Sequence, residues 1–387
     1  MNYIYPSVGN DPEVFVTEKG KIVPSEKLLK ERRTRAGIAD LRDIHYSDAS
    51  YKVKVDNAAV EFNFPAATCL QGVLGNISMT LRKLKNNYLK PRIHSVCLKA
   101  AMELSTDDMK RYQSLLQFGC APSLLFSNDD LKISRPIVDP RTTRYRSTGY
   151  HVHLGLAKAG SYYDSETNNA AKILHTTAGR VRLVRICDMI VGLPSVLLER
   201  DTEAVHIRRN VLGYGRAGEF REQPHGFEYR TLGPWPMAHP AWAWWANSGV
   251  RDALQIVLAG ADEEILKKIP GNEISDAINS NDFKAALRLW VIIKKSLADL
   301  IKDKRTENGK HAILGLNNIR LLEFAIINGG LEGMPFSFNN WIRGYYGAKA
   351  GFPSSMKRRS RTQKNLNKFM AFSRKWDLTR DNLTGWL

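Results

Sequence analysis

Short segments of alternating apolar and polar residues within the first 240 positions constrain the fold more than any other feature. YKVKVDNAAVEFNFP (51–65) and GYHVHLGL (149–156) both have the two-residue period of half-buried strands. Segments with helical periodicity lie between them, and this helical pattern predominates after Pro240. The order predicts an α+β fold with a largely antiparallel sheet backed by helices, and a helical C-terminal third.

The same patterns predict individual elements. We expect a hairpin at 13–24, one strand at 51–65, strands at 117–126 and 149–156, helices over about Thr68–Tyr88 and Ile93–Leu104, a long helix Thr167–Leu198 interrupted near Gly192, and two strands joined by a turn within 218–233. For domains, we predict a catalytic core over 1–240, a helical region packed on it over 241–332, and a basic segment over 333–387.

The charge is strongly basic, with a net value of +18 in 387 residues. From Gly333 to Trp376 there is no acidic residue, but there are ten Lys or Arg. Such a run is typical of a solvated face, but Phe369, Phe372 and Trp376 are interleaved with it and favour a basic amphipathic helix. Nucleic acid or another polyanion is therefore a candidate partner.

Several classes of protein are disfavoured. No apolar run is long enough to span a bilayer, and no signal peptide is apparent, so we expect a cytoplasmic protein without membrane contact. The four cysteines are scattered without CxxC spacing, which is typical of reduced thiols and not of a four-cysteine zinc site. Neither GxxxxGK[ST] nor GxGxxG is present, so the two common nucleotide-binding folds have no support.

Acidic residues with the potential to bind cations occur on two predicted strands. Asp11 and Glu13 share a face of GNDPEVFV, where their carboxylates suit one or two hard cations. Glu61 shares a face with Asn57 and Asn63. Alone, an Asp-Pro-Glu sequence is typical of a turn, and a strand glutamate is more often exposed to solvent.

Histidines and arginines occupy the other candidate segments. His151 and His153 share one face of their strand, although histidines at this spacing are more often structural. Glu228 and Arg230 also share a face. An arginine-rich stretch precedes them; alone it indicates surface charge, and it contains Arg208, Arg209, Arg216 and Arg221. If all these segments converge on one sheet face, carboxylates and a histidine suit Mg²⁺ or Mn²⁺ and the arginines suit phosphate, which predicts a site for a metal-bound polyphosphate.

The order of these segments resembles the glutamine-synthetase-like carboxylate–amine ligases, and most closely the phage-type COOH·NH2 ligases. The matching stretches span roughly residues 8–236 and are GNDPEVFV, VDNAAVEFNFP, QFGC, GYHVHLG, LERDTEAVHIRRNVLGYGRAGEFR and GFEYRTLGPW. The resemblance implies a curved, largely antiparallel sheet forming one wall of a funnel-shaped site. It also implies ATP and Mg²⁺ (or Mn²⁺), with two metal ions, and substrates that are a carboxylate and an amine.

Roles for single residues follow from the resemblance. The implied metal ligands are Asp11, Glu13, Glu61, His151 and Glu228. The implied nucleotide contacts are His153, Arg208 and Arg209, and the implied catalytic arginines are Arg216, Arg221 and Arg230.

The expected activity is ATP-dependent amide formation through an acyl phosphate, with a phage or host polymer as one candidate substrate. The oligomeric state stays open. If the resemblance extends to origin, the setting is the cytoplasm of an infected host cell. Two alternatives stay open: a ligase that modifies nucleic acid, and a basic nucleic-acid-binding protein without catalysis.

Overall fold

The computed structural model describes residues 6–29, 51–117, 122–156, 165–199, 201–269, 272–303, 322 and 336–341. Within these ranges the chain is α+β, and every pair of strands is antiparallel. The prediction of an α+β fold with antiparallel strands is confirmed. The curved sheet of the ligase type stays a prediction. The described strands form more than one sheet.

The strands are, in chain order, β1 (Ser7–Asn10), β2 (Glu13–Glu18), β3 (Lys21–Ile22), β4 (Lys52–Asp56), β5 (Ala59–Asn63), β6 (His94–Cys97), β7 (Ala101–Glu103), β8 (Ser123–Ser127), β9 (Asp130–Ser134), β10 (Tyr145–Ser147), β11 (Val152–Gly155), β12 (Glu219–Gln223) and β13 (Gly226–Tyr229). The first sheet has the order β1-β11-β13-β12-β8-β9. The second has the order β3-β2-β5-β4, with β6 also paired to β2, and β7 pairs with β10 in a small third sheet.

The helices are α1 (described over 25–29), α2 (Leu70–Asn87), α3 (Thr106–Arg111), α4 (Ser165–His175), α5 (Thr177–Cys187), α6 (Leu193–Leu198), α7 (Thr202–His206), α8 (Pro240–Leu258), α9 (Asp262–Lys267), α10 (Glu273–Ser280) and α11 (Phe283–Asp303). Two π-helical turns, Asp188–Gly192 and Ile207–Val211, follow α5 and α7. None of the helices in the described ranges is long and apolar enough to cross a membrane.

Two predicted hairpins are confirmed. The turn between β2 and β3 places Lys19 and Gly20 at φ 49° and 79°, the left-handed region that a tight two-residue hairpin turn requires. β12 and β13 are joined by Pro224 and His225. The segment 51–65, predicted as one strand, is instead the hairpin of β4 and β5, because Asn57 adopts φ 54° and reverses the chain.

The prediction for the segment that follows α2 is wrong. The helix predicted over about Thr68–Tyr88 is confirmed as α2, whereas Ile93–Leu104 forms β6 and β7. Arg92, with φ 64°, lies in the turn that leads into β6, and β6 pairs with β2 over four residue pairs. Pairing with a distant strand therefore overrides the local helical spacing.

The long helix is interrupted earlier than predicted. The hydroxyl of Thr176 accepts a hydrogen bond from Gly179 N–H at 3.2 Å and caps a new helix, so α4 ends before it and α5 begins after it. Near Gly192, where the break was expected, the chain stays helical through the π turn into α6. The wider turn accommodates Pro194, which has no N–H to donate.

Helices cover the rear face of the first sheet. Phe227 and Tyr229 of β13 are fully buried on that side, next to α4, α5 and the π turn. The chain from α8 to Asp303 is helical where the structure describes it. The basic segment 333–387 lies outside the described residues except for 336–341, and the domain boundaries stay predictions.

Helix α8 is hydrogen-bonded to the strands next to the site. Asn10 Nδ2, at the end of β1, donates to Asn247 Oδ1 at 2.9 Å and to the main-chain oxygen of His151 at 3.0 Å. Asn247 Nδ2 donates to the Tyr150 hydroxyl at 2.8 Å. These groups are buried, so the contacts fix the start of β11 against the helix.

Candidate functional site

One row of side chains crosses the first sheet on the face opposite the helices. Antiparallel pairing places His153 directly opposite Glu228, and Glu228 directly opposite Arg221. Gly9 of β1 lies on the other side of His153. An imidazole, a carboxylate and a guanidinium group from three neighbouring strands therefore lie side by side.

The link between β1 and β2 joins this face to the second sheet. Asn10 still pairs with β11, whereas Glu13 already pairs with Glu61 of β5. Asp11 lies in the link itself and approaches both histidines: its Oδ1 is 3.1 Å from His151 Nδ1 and 3.0 Å from His153 Nε2. The site thus lies where the two sheets meet.

Five carboxyl groups gather at this junction, namely those of Asp11, Glu13, Asp56, Glu61 and Glu228. Burial, followed by the charge of Asp56, raises the pKa of Glu13 well above its usual range. Burial, followed by the charge of Asp11, raises the pKa of Glu61 to about 7. Burial likewise raises the pKa of Asp56, whose side chain hydrogen-bonds Glu13. Such shifts indicate negative charge that the protein groups alone do not neutralise.

Hydrogen-bond donors and cationic groups keep the remaining two carboxylates ionised. Burial opposes ionisation of Asp11, but His151 and His153 outweigh it and keep its pKa well below the usual range. At Glu228 burial is likewise outweighed, chiefly by Arg230, and the pKa is lowered. Arg230 Nη1 contacts Glu228 Oε1, and Arg221 Nη1 lies 3.4 Å from Oε2.

The two histidines differ in environment. His151 is almost fully buried, and burial together with Arg230 lowers its pKa. His153 is also desolvated, but Asp11 outweighs this and raises its pKa. Nδ1 of His151 lies 3.7 Å from Glu228 Oε1, so both imidazoles border the space between Asp11 and Glu228.

This donor set fits a hard divalent cation. Ligand atoms of Asp11, His153 and Glu228 lie within 4.8 Å of one another, and His151 Nδ1 is close to two of them. Carboxylate oxygens with an imidazole nitrogen are donors that Mg²⁺ and Mn²⁺ accept. Glu13 and Glu61, directly opposite each other on β2 and β5, could hold a second cation, because like charges in that position otherwise repel.

We then compared the chain with known proteins. Residues 174–268 match the family model described as Phage phiEco32-like COOH.NH2 ligase-type 2. The predicted resemblance is confirmed over this segment. A search of curated proteins finds no match.

The matched segment contains one half of the site. It includes the six residues from the arginine-rich stretch and β13 that the sequence singled out: Arg208, Arg209, Arg216, Arg221, Glu228 and Arg230. The acids of β2 and β5 and the histidines of β11 lie outside it. Their roles as ligands stay predictions that rest on the geometry.

Three predicted phosphate-binding arginines lie apart from the row on β11, β13 and β12. Arg208 is buried and donates to the main-chain oxygens of Thr231 and Leu232, each at 2.8 Å. Arg209 donates to the main-chain oxygens of Gly215 and Ile278, and Arg216 Nη2 donates to the Ser134 hydroxyl at 3.0 Å. In this conformation Arg208 and Arg209 support the loop at 212–218, and their binding of nucleotide stays a prediction.

Four residues of the site were not predicted from the sequence. Tyr214 contacts Glu13 and His151, Asp56 contacts Glu13, Gln223 contacts Glu228, and His225 contacts His153. Reading 51–65 as one strand concealed Asp56, which precedes the turn at Asn57. Asn57 itself lies in that turn and donates to the Gln117 main-chain oxygen, so it does not share the face of Glu61 as predicted. In the sequence, the glycines on both sides of Tyr214 were the feature that could have indicated a special role for this residue.

Proposed function

We propose that this protein is an ATP- and Mg²⁺-dependent carboxylate–amine ligase that forms an amide bond through an acyl phosphate. One observation carries the proposal: a site with five carboxyl groups, two histidines and two arginines, built partly from a segment that matches a family named for COOH·NH2 ligases. A binder of nucleic acid without catalysis has no use for such a concentration of buried acids.

The charge balance supports binding of cations together with phosphate. Arg221 and Arg230 form ion pairs with Glu228, and Lys54 Nζ is 3.8 Å from Glu61 Oε1. These three cationic groups face five carboxyls, which leaves room for divalent charge. Bound metal ions would neutralise the phosphate oxygens of ATP and align them for transfer.

The side chains divide into groups with separate tasks. Asp11, Glu228 and the histidines would hold one cation, and Glu13 with Glu61 the other. Arg221, whose side chain is 22% exposed, is accessible to a transferring phosphoryl group, whereas Arg230 is buried and holds Glu228 in place. Phosphoryl transfer requires mainly such positioning and charge neutralisation.

The test is a reaction with ATP and Mg²⁺ and a panel of carboxylate and amine pairs. The expected result is release of phosphate that requires both partners, and a product that mass spectrometry identifies by the loss of one water. Hydrolysis of ATP that is independent of both substrates would contradict ligation. The Glu228→Gln variant, in which we expect turnover to be lost, provides the background rate.

The net charge of +18 favours a polyanion as the substrate that supplies the carboxylate or amine. Nucleic acid is the candidate we test, with the basic segment as its contact. Deletion of the residues after Phe352 should abolish salt-dependent binding of DNA and RNA by the full chain. Absence of binding by the full chain would remove nucleic acid as a candidate, and binding that survives the deletion would show that the basic segment is not its contact.

A further inference from the structure

Tyr214 is held in a loop that is built around it. Gly213 and Gly215 on either side have φ of 72° and 69°, a region that favours glycine. A Cβ atom on Gly215 would lie 2.0 Å from Arg208 Nη1, so the close approach of that guanidinium requires glycine. The Tyr214 N–H donates to the Arg208 main-chain oxygen at 2.9 Å, which fixes the turn further.

The ring of Tyr214 lies next to two guanidinium groups, and its hydroxyl points into the site. The Cζ atoms of Arg208 and Arg230 are 4.8 Å and 5.2 Å from the ring centroid, which are cation–π distances. The hydroxyl oxygen is 2.6 Å from His151 Nε2 and 3.1 Å from Glu13 Oε1. One side chain therefore connects a histidine of the first sheet with an acid of the second.

Counting protons limits the arrangements of these hydrogen bonds. The hydroxyl has one proton, and if it donates to Glu13 its oxygen accepts from His151 Nε2–H. Neutral His151 then has a lone pair on Nδ1, which lies 3.1 Å from Asp11 Oδ1 and 3.7 Å from Glu228 Oε1. The hydroxyl is the donor in its hydrogen bond to Glu13, which leaves its oxygen as the acceptor for His151 Nε2–H.

We infer that Tyr214 is a positioning residue: by holding His151 Nε2 and Glu13 together, it presents the His151 Nδ1 lone pair to a divalent cation between Asp11 and Glu228. The inference rests on the proposed function, because it requires a cation at this site. Partners that orient a metal-bound histidine in this way change metal affinity by about 10–100-fold when they are removed.

The experiment measures binding of Mn²⁺ to the full chain without nucleotide. Isothermal titration calorimetry and the electron paramagnetic resonance signal of free Mn²⁺ both report the affinity. Tyr214→Phe should weaken binding about tenfold or more. Tyr229→Phe is the matched control, because it removes another buried phenolic hydroxyl, on the rear face of β13 where its partner is Asp188. The control should bind Mn²⁺ as the wild type does.

The outcomes separate the two proposals. Wild-type affinity in Tyr214→Phe would overturn the inference and leave the ligase proposal standing. No Mn²⁺ binding by the wild type would overturn the metal site, and the inference with it.

A second measurement reads the protonation of His151 in the wild-type protein. Nitrogen-15 NMR of histidine-labelled wild type with Mg²⁺ should show His151 protonated on Nε2 and not on Nδ1, with the signal assigned by its loss in His151→Gln. Protonation on Nδ1 in the presence of Mg²⁺ would overturn the inference.

Discussion

The two faces of β13 each bury a carboxylate, but in opposite surroundings. On the rear face Asp188 accepts hydrogen bonds from the hydroxyls of Tyr229 and Thr231, at 2.8 and 3.1 Å, and from Gly218 N–H. On the front face Glu228 contacts Arg230 and Arg221, with His153 directly opposite it. Burial raises the pKa of Asp188 to about 7, whereas Arg230 outweighs burial and lowers that of Glu228.

The difference shows what each carboxylate can do. Neutral donors satisfy Asp188 in a closed environment, so it holds the sheet against the π turn as a structural group. Cationic neighbours keep Glu228 ionised next to other acids, so it can take a metal ion. The predictions below test whether loss of the front carboxylate changes chemistry and loss of the rear one changes stability.

The largest effect is expected for Glu228→Gln. We expect ATP turnover to fall roughly 10³-fold or more, because the proposed metal site loses an anionic ligand. Circular dichroism should show a retained fold. Glu222→Gln is the control, since Glu222 pairs with Arg180 on the other face of β12. Substantial turnover in Glu228→Gln would contradict the assignment of the front face.

Asp188→Asn should change the dependence of stability on pH. Unfolded aspartate has a pKa of about 3.9, so between about pH 4 and pH 7 folded Asp188 keeps a proton that the unfolded chain has released. Its contribution to the free energy of unfolding is therefore full at low pH and falls by roughly a few kcal/mol as pH rises to 7.

Urea denaturation at pH 5 and pH 7.5 measures this effect. The difference in stability between the two pH values should be smaller in Asp188→Asn than in the wild type, while turnover below the unfolding transition changes little. Equal pH dependence in the two proteins would refute the raised pKa.

Asn247→Ala tests how the rear helices position the front face. It removes the hydrogen bonds that connect α8 to Asn10 and Tyr150. We expect destabilisation of about 1–3 kcal/mol and roughly tenfold lower turnover, because Asn10, which donates to the main chain of His151, loses its partner on α8. Ser248→Ala, one residue along α8, should leave turnover unchanged; an equal loss there would indicate a general packing effect.

The smallest effect is expected for His225→Ala. His225 Nε2 lies 3.1 Å from His153 Nδ1, but the residue is exposed on the β12–β13 turn. We expect Mn²⁺ affinity to fall by about threefold, less than for a buried partner. His206→Ala, an exposed histidine on α7, serves as the comparison. A larger loss of Mn²⁺ affinity in His225→Ala than in Tyr214→Phe would contradict the expectation that Tyr214 supports its histidine more strongly than His225 does.

Two predicted elements failed because local periodicity did not decide between alternatives. The helix expected at Ile93–Leu104 and the single strand expected at 51–65 have local periodicity compatible with either form. Pairing with β2 decided the first and the left-handed conformation of Asn57 decided the second. The strands of 149–156 and 218–233 were predictable because alternation and turn residues agree there.

Where a predicted strand has no turn in it, sequence alone determined which side chains share a face, because that depends only on the two-residue period of an extended backbone. It therefore associated His151 with His153, and Glu228 with Arg230. Only the tertiary structure placed His153 opposite Glu228, brought Asp11 to both histidines, and turned Tyr214 toward His151. Register between distant strands and the approach of a glycine-flanked loop are long-range contacts, and no local pattern encodes them.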